Sequence, residues 1–303
     1  MARTSTLGPM IRLIRPKQWL KNLFVFAPLI FARELFLIDA DLIAVRAFLA
    51  FCFTASAIYI INDMADAEAD RAHPEKRHRP IASGEVSPRE ALVLLSALII
   101  LTVVVVAGMD PRFITILAAY FLFNLAYSFR LKEVLLLDVF IVAAGFMFRV
   151  LGGAYAIDVR VSSWLVLCSL FISLFLGFAK RRGELAVAPV PEGGAGRKVL
   201  RLYSMEFIDQ LLTIAAAGTV ISYALYTVAP GTIETFGTEK LIYTTVFVLY
   251  GVFRYIYLIQ TTSKAENPTN AVTSDLPIIV TGLLWILSCV VLIYSAGRIP
   301  WIG

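Results

Sequence analysis

Between Ile61 and Gly84 the chain reads INDMADAEADRAHPEKRHRPIASG, acids first and bases after. This stretch follows directly on an apolar run from Leu42 to Ile60. Carried on as a helix, the run places Asn62, Asp66 and Asp70 at i, i+4 and i+8 along one face, with Asp63 just off it. Carboxylates gathered so closely repel one another unless a cation lies among them. Their oxygens are hard ligands of the kind Mg2+ takes. That ion typically keeps some waters and fills its other positions from a few carboxylates and a substrate's phosphates. Arg71, Lys76, Arg77 and Arg79 follow at once and suit phosphate oxygens that a metal does not reach. A merely solvated loop would explain mixed charge, but not this acid spacing, basic tail and apolar flank together. Asn62, Asp63, Asp66 and Asp70 are therefore the candidate metal-binding and catalytic residues.

The elements that must hold these residues are apolar helices. Of the 303 residues, 59% are hydrophobic, and the mean hydropathy is +0.80, far above a soluble globular protein. Runs long enough to cross a bilayer fall near 20–37, 41–61, 90–109, 112–129, 134–156, 162–180, 206–228, 239–260 and 276–297. The first contains Pro28 and has Arg33 and Glu34 at its far end. The expected fold is all-α: one integral membrane domain over 1–303, a bundle of nine transmembrane helices. The polar loops 62–89 and 181–205 are too short to be separate domains and would cap the site. No cleavable signal peptide is expected, because no short apolar core with a small-residue cleavage site opens the chain.

Most of the 27 lysines and arginines fall in the loops that share a side with the N-terminus and the acidic motif. The positive-inside rule puts that side in the cytoplasm. The net charge of +5 is therefore a signal for topology and for phosphate or anionic lipid, not for nucleic acid. Cys52, Cys168 and Cys289 lie singly within apolar spans, which suggests neither a disulfide frame nor a metal site. His73 and His78, the only histidines, both fall in the motif loop.

Other polar residues stand out against this background. Residues 10–21, MIRLIRPKQWLK, suit a short interfacial helix broken at Pro16, with Trp19 as an anchor and Arg15, Lys17 and Lys21 able to reach over the site. Span five carries Asp138 and Arg149, eleven residues and about three turns apart, roughly 16 Å along the axis. Both must face the bundle interior or a wet cavity. Gly152 and Gly153 permit close helix packing. Span six ends in GFAKRRGEL, where Lys180 and Glu184 are one turn apart. Arg254, Glu266 to Pro268 and Asp275 are further polar points on the same side.

The segment NDMADAEAD at 62–70 resembles the N-D-x-x-D-x-x-x-D signature of the UbiA-type intramembrane transferases, and the likeness runs from RPKQWLKN at 15–22 to the last span. Quinone-forming members carry a second D-x-x-x-D after span six. This chain has Lys180, Arg181 and Glu184 there instead, which argues against a second acid-bound Mg2+ of the usual kind. HPEKRHRPIA at 73–82, YSFRLK at 127–132 and KRRGE at 180–184 resemble one branch of the family, the decaprenyl-phosphate phosphoribosyltransferases.

That resemblance implies transfer of 5-phosphoribose from phosphoribosyl pyrophosphate (PRPP) to a polyprenyl phosphate with Mg2+, releasing pyrophosphate and feeding arabinan synthesis in the cell wall. It implies a multi-pass protein of the bacterial cytoplasmic membrane with its site on the cytoplasmic side; assembly into a homo-oligomer is compatible with the chain. Asn62, Asp63, Asp66 and Asp70 would hold the metal. Lys21, Arg71, Lys76, Arg77 and Arg79 would grip phosphate. Lys180, Arg181 and Glu184 would orient the donor, Asp138 would line the cavity, and Tyr127 and Lys132 would stand at its rim. Two other readings stay open on the sequence. One is prenyl transfer to an aromatic acceptor, disfavoured by the absent second motif. The other is a non-enzymatic lipid carrier, disfavoured by the lack of paired, interrupted spans in matching halves.

Overall fold

A computed structural model describes residues 7–32, 34–72, 76–129, 131–187, 198–261 and 274–295. Among them the regular structure is helical: α1 (Leu7–Ile14), α2 (Ala27–Phe31), α3 (Ile38–Ala65), α4 (Ala67–Arg71), α5 (Pro88–Val106), α6 (Pro111–Phe129), α7 (Leu137–Ala156), α8 (Ser163–Val187), α9 (Met205–Val228), α10 (Pro230–Phe236), α11 (Thr245–Thr261) and α12 (Leu276–Ser295). Eight helical segments among the described residues are long and apolar enough to cross a membrane: α3, α5 to α9, α11 with the 3-10 turn before it, and α12.

The expected first span, 20–37, is not one continuous α-helix. A 3-10 segment, Pro16–Phe26, is followed by the five-residue α2, which carries Pro28 in its first turn. Proline is tolerated there because its missing N–H is one of those a helix start leaves unbonded. Two loop boundaries also shift. Helix α3 continues through Ala65 into the expected 62–89 loop, and α8 continues through Val187 into the expected 181–205 loop. His73, Arg130, residues 188–197 and Glu266 to Pro268 lie outside the described residues.

Helix starts follow local chemistry. Ser87 accepts the Glu90 N–H while the Glu90 side chain accepts from Ser87, a capping box that opens α5 with Pro88 at its first position. Ser204 caps α9 through the Phe207 N–H.

The chain forms two compact units, Met1–Leu131 with Phe148–Arg160, and Lys132–Met147 with Val161–Gly303. In the first, α3 supplies a long buried spine of small residues, among them Ala44, Ala47, Ala50, Ala55 and Ala57. Small side chains let neighbouring backbones approach closely. Phe51 packs edge-on against Phe113 and Tyr120. A second cluster joins Leu13 of α1, Ile60 of α3, and Ile81 and Val86 of the turn after the acidic motif. In the second unit, Val139, Phe175, Phe178, Leu212, Val252 and Ile259 form the main core. Gly177 lets α8 lie against Val139, whose Cγ1 is 2.6 Å from where a Cβ would stand. Large apolar side chains left outside, such as Val93, Ile100 and Val103 on α5 and Leu283 and Leu287 on α12, are a surface suited to hydrocarbon and not to water.

Candidate functional site

In the first unit the acidic motif lies where α3 gives way to α4. Asp66 has φ −90° and ψ 0°, a small break in an otherwise sustained helical path. The Asp66 N–H bonds to Asn62 O at 2.9 Å, and the Asp70 N–H to Asp66 O at 2.8 Å. The expected i, i+4, i+8 row is thus linked by successive helical hydrogen bonds despite the break.

Two of the acids are buried, Asp63 at 2% exposure and Asp70 at 3%, and a buried carboxylate requires a partner. Asp63 is clasped by Arg15, whose Nη2 lies 2.6 and 2.8 Å from its two oxygens. Arg79 donates to both acids, at 3.1 Å to Asp63 and 2.7 Å to Asp70. The packing of Leu13 with Ile60, Ile81 and Val86 brings the chain segments bearing these arginines to the end of α3. An ion pair between Arg12 and Glu85 fastens the same segments at the surface.

Arg15 itself is left-handed, φ 53°. The following Pro16 disfavours the right-handed helical region for residue 15, and the ion pair with a stack over Tyr59, 4.7 Å from the ring centre, holds the unusual conformation. Trp19, expected as an interfacial anchor, donates its indole N–H to Ser56 at 3.1 Å and so pins the N-terminal segment to α3.

The remaining acids of the motif differ. Asp66 is half-buried, and the buried Asn62 Oδ1 accepts no hydrogen bond. Among the described residues no three acidic, histidine or cysteine side chains converge as a ready metal cage. The oxygen donors nevertheless suit Mg2+ by type, and Asn62 offers it an unused buried acceptor. Arg71, Lys76 and Arg77 are exposed; Lys21 and Tyr127 are half-buried. Arg71 reaches Ala82 O at 3.4 Å.

The second unit gathers a separate ionic network. Asp138, wholly buried, accepts from Arg181 Nε at 2.6 Å with one oxygen and from the Tyr203 hydroxyl at 2.8 Å with the other. Arg181 also pairs with Glu184, one turn along α8. Lys180 stands 4.0 Å from the second Glu184 oxygen. Burial, helped by Asp138, pushes the Tyr203 phenol above its ordinary 10.0, so it stays a donor. Lys132 is half-buried in the same unit. The sequence lets Arg15 reach over the site without naming Asp63 as its partner, and Tyr203 escapes sequence reasoning altogether. The R-P pair at 15–16 is a signal for the first; nothing local marks the second.

These features define a polytopic, all-helical membrane protein with ionic side chains concentrated at the ends of its spans. The chain belongs to the UbiA prenyltransferase family, which matches residues 23–274. It is 38% identical over 221 residues to the decaprenyl-phosphate phosphoribosyltransferase of Mycolicibacterium smegmatis, covering 72% of this chain and 69% of that one. To the enzyme of the same name from Corynebacterium glutamicum it is 33% identical over 289 residues, 94% of this chain and 86% of that one. Its fold is similar to that of a UbiA homologue from Archaeoglobus fulgidus solved with GPP and Mg2+: the TM-score is 0.70 at 21% identity, over 94% of this chain and 99% of that one.

Proposed function

We propose that this protein transfers 5-phosphoribose from PRPP to a polyprenyl phosphate of the decaprenyl class, releasing pyrophosphate, at the cytoplasmic face of a bacterial membrane, as a step toward cell-wall arabinan. The observation that carries the reading is the ionic set formed by Asp138 of α7 with Arg181 and Glu184 of α8. In place of a second pair of acids the chain holds Arg181 between Asp138 and Glu184. That set suits a sugar phosphate better than a second metal-bound diphosphate, and the relatives in mycobacteria and corynebacteria bear the corresponding name.

In this reaction the bond from the ribose anomeric carbon to pyrophosphate breaks, and the leaving pyrophosphate keeps the electron pair. An oxygen of the lipid phosphate forms the new bond. That oxygen is already anionic near neutral pH, so no strong base is needed. Mg2+, held by Asn62, Asp63, Asp66 and Asp70, would supply charge neutralisation at the departing pyrophosphate. Arg71, Lys76 and Arg77, exposed beside the motif, with Lys21 and Arg79, grip phosphate oxygens. Lys180 and Glu184 orient the ribosyl donor, and Tyr127 and Lys132 flank it. Arg15 holds the Asp63 carboxylate in place.

The test is direct. Purified protein in lipid nanodiscs receives labelled PRPP and decaprenyl phosphate, then a prenyl diphosphate and an aromatic acid, and the lipid products are weighed by mass spectrometry. A decaprenyl-phosphoryl-5-phosphoribose product is expected. A prenylated aromatic in its place would overturn the reading.

A further inference from the structure

Tyr203 lies between the 3-10 turn Lys198–Leu202 and α9, 6% exposed, and packs with Val199 and Ile208 against Leu135 and Leu136. Its hydroxyl does two things at once. It accepts the Leu136 N–H at 3.0 Å and donates to Asp138 at 2.8 Å. Leu136 has φ 66°, a left-handed conformation that a residue with a Cβ adopts only where its surroundings enforce it. One phenol therefore ties the turn that launches α7 to the carboxylate on its first turn.

From Asp138 the network runs outward. Side-chain exposure is 0% at Asp138, 2% at Arg181, 23% at Glu184 and 39% at Lys180. A solute arriving from water meets Lys180 and Glu184, whereas Asp138 and Arg181 are sealed behind them.

We propose that Tyr203 is a positioning residue, which through Asp138 and Arg181 sets the Glu184 carboxylate to accept hydrogen bonds from the ribose hydroxyls of the donor. This rests on the phosphoribosyl reading and divides the labour within it: Glu184 touches the sugar, and Asp138 and Arg181 act through it. The chemistry discriminates. An ionised carboxylate only accepts, which suits adjacent hydroxyl donors and has nothing to offer a pyrophosphate anion.

The experiment compares the wild type, Tyr203→Phe, Glu184→Gln and the double variant in nanodiscs. It reads kcat and KM for PRPP, inhibition by inorganic pyrophosphate, and the preference for PRPP over its 2-deoxyribose analogue. Tyr203→Phe is expected to raise the KM for PRPP about tenfold, the scale of one hydrogen bond to a charged group. Pyrophosphate inhibition stays at the wild-type level, and the double variant is no worse than Glu184→Gln alone. An unchanged KM, a parallel loss of pyrophosphate affinity, or additive losses in the double variant would overturn it. Should Tyr203→Phe fail to fold, Glu184→Gln still decides: it must lose the preference for ribose over 2-deoxyribose, and a retained preference refutes the assignment. A wild type that transfers no phosphoribose sinks the functional reading; an active wild type with an indifferent Tyr203→Phe sinks this proposal alone.

Discussion

Arg15 clasps both carboxylate oxygens of Asp63, at 2.6 and 2.8 Å, across 48 positions of sequence. The acid is 2% exposed on its side chain and the arginine 28%, so the pair is buried at one end and open to water at the other. Removing one member of a fully buried pair costs about 3–5 kcal/mol. Here water and the second contact from Arg79, at 3.1 Å, soften the loss. Arg15→Met should lower stability by about 2 kcal/mol. Thermal unfolding of Arg15→Met, Asp63→Asn and the double variant checks it: the double variant should be more stable than the sum of the single losses implies.

Asp66 and Asp70 separate chemistry from structure within one motif. Asp70 is held by Arg79, whereas the Asp66 carboxylate makes no hydrogen bond or ion pair among the described residues. Asp66→Ala should therefore cut turnover by about 10²–10³-fold, the scale of one electrostatic contact made to the transition state, with little change in melting temperature. Asp70→Ala should lose both turnover and stability. Parallel assays of product formation and unfolding decide, and normal turnover in Asp66→Ala would remove it from the site.

Much of this architecture is legible in the sequence because it is local. Hydrophobic runs mark the spans, the acid row follows from one helical period, and two charges in span five demand burial. Arg149 meets that demand, with Nε 2.7 Å from Asn22 and Nη2 2.9 Å from the Tyr120 hydroxyl. What escapes is the identity of partners. Asn22 is 127 positions from Arg149, and Tyr203 is 65 from Asp138, and no periodicity connects residues so far apart. The first span misleads for a related reason. Composition reports apolarity but not the 3-10 winding of Pro16–Phe26.

Gly153 on α7 marks the tightest backbone approach in the first unit that a substitution can probe. A Cβ there would lie 2.1 Å from the Val25 carbonyl oxygen, a backbone atom of the 3-10 segment that cannot swing aside as a side chain would. At neighbouring Gly152 the obstacle is the Phe51 ring at 2.7 Å, which can turn. Gly153→Ala should destabilise by about 1–3 kcal/mol, the usual range for overpacking, and more than Gly152→Ala. Unfolding midpoints of the two variants in the same detergent test the order.

Asp275 joins capping to charge pairing at the start of α12. Its carboxylate accepts the Ile278 N–H at 3.0 Å and the Arg254 guanidinium at 2.9 Å. The Arg254 contact is the larger cause that holds its carboxyl below the ordinary 3.8, against a smaller upward push from burial. Because the folded protein gives up this proton more readily than the unfolded chain, the pair contributes stability above 3.8 and loses it as pH falls through the lower folded value. The wild type should thus melt above Asp275→Asn at neutral pH, and the gap should close below pH 3.8. Paired melting curves across that range read the effect. A gap of constant size would mean the cap alone, and not the charge, is what Asp275 contributes.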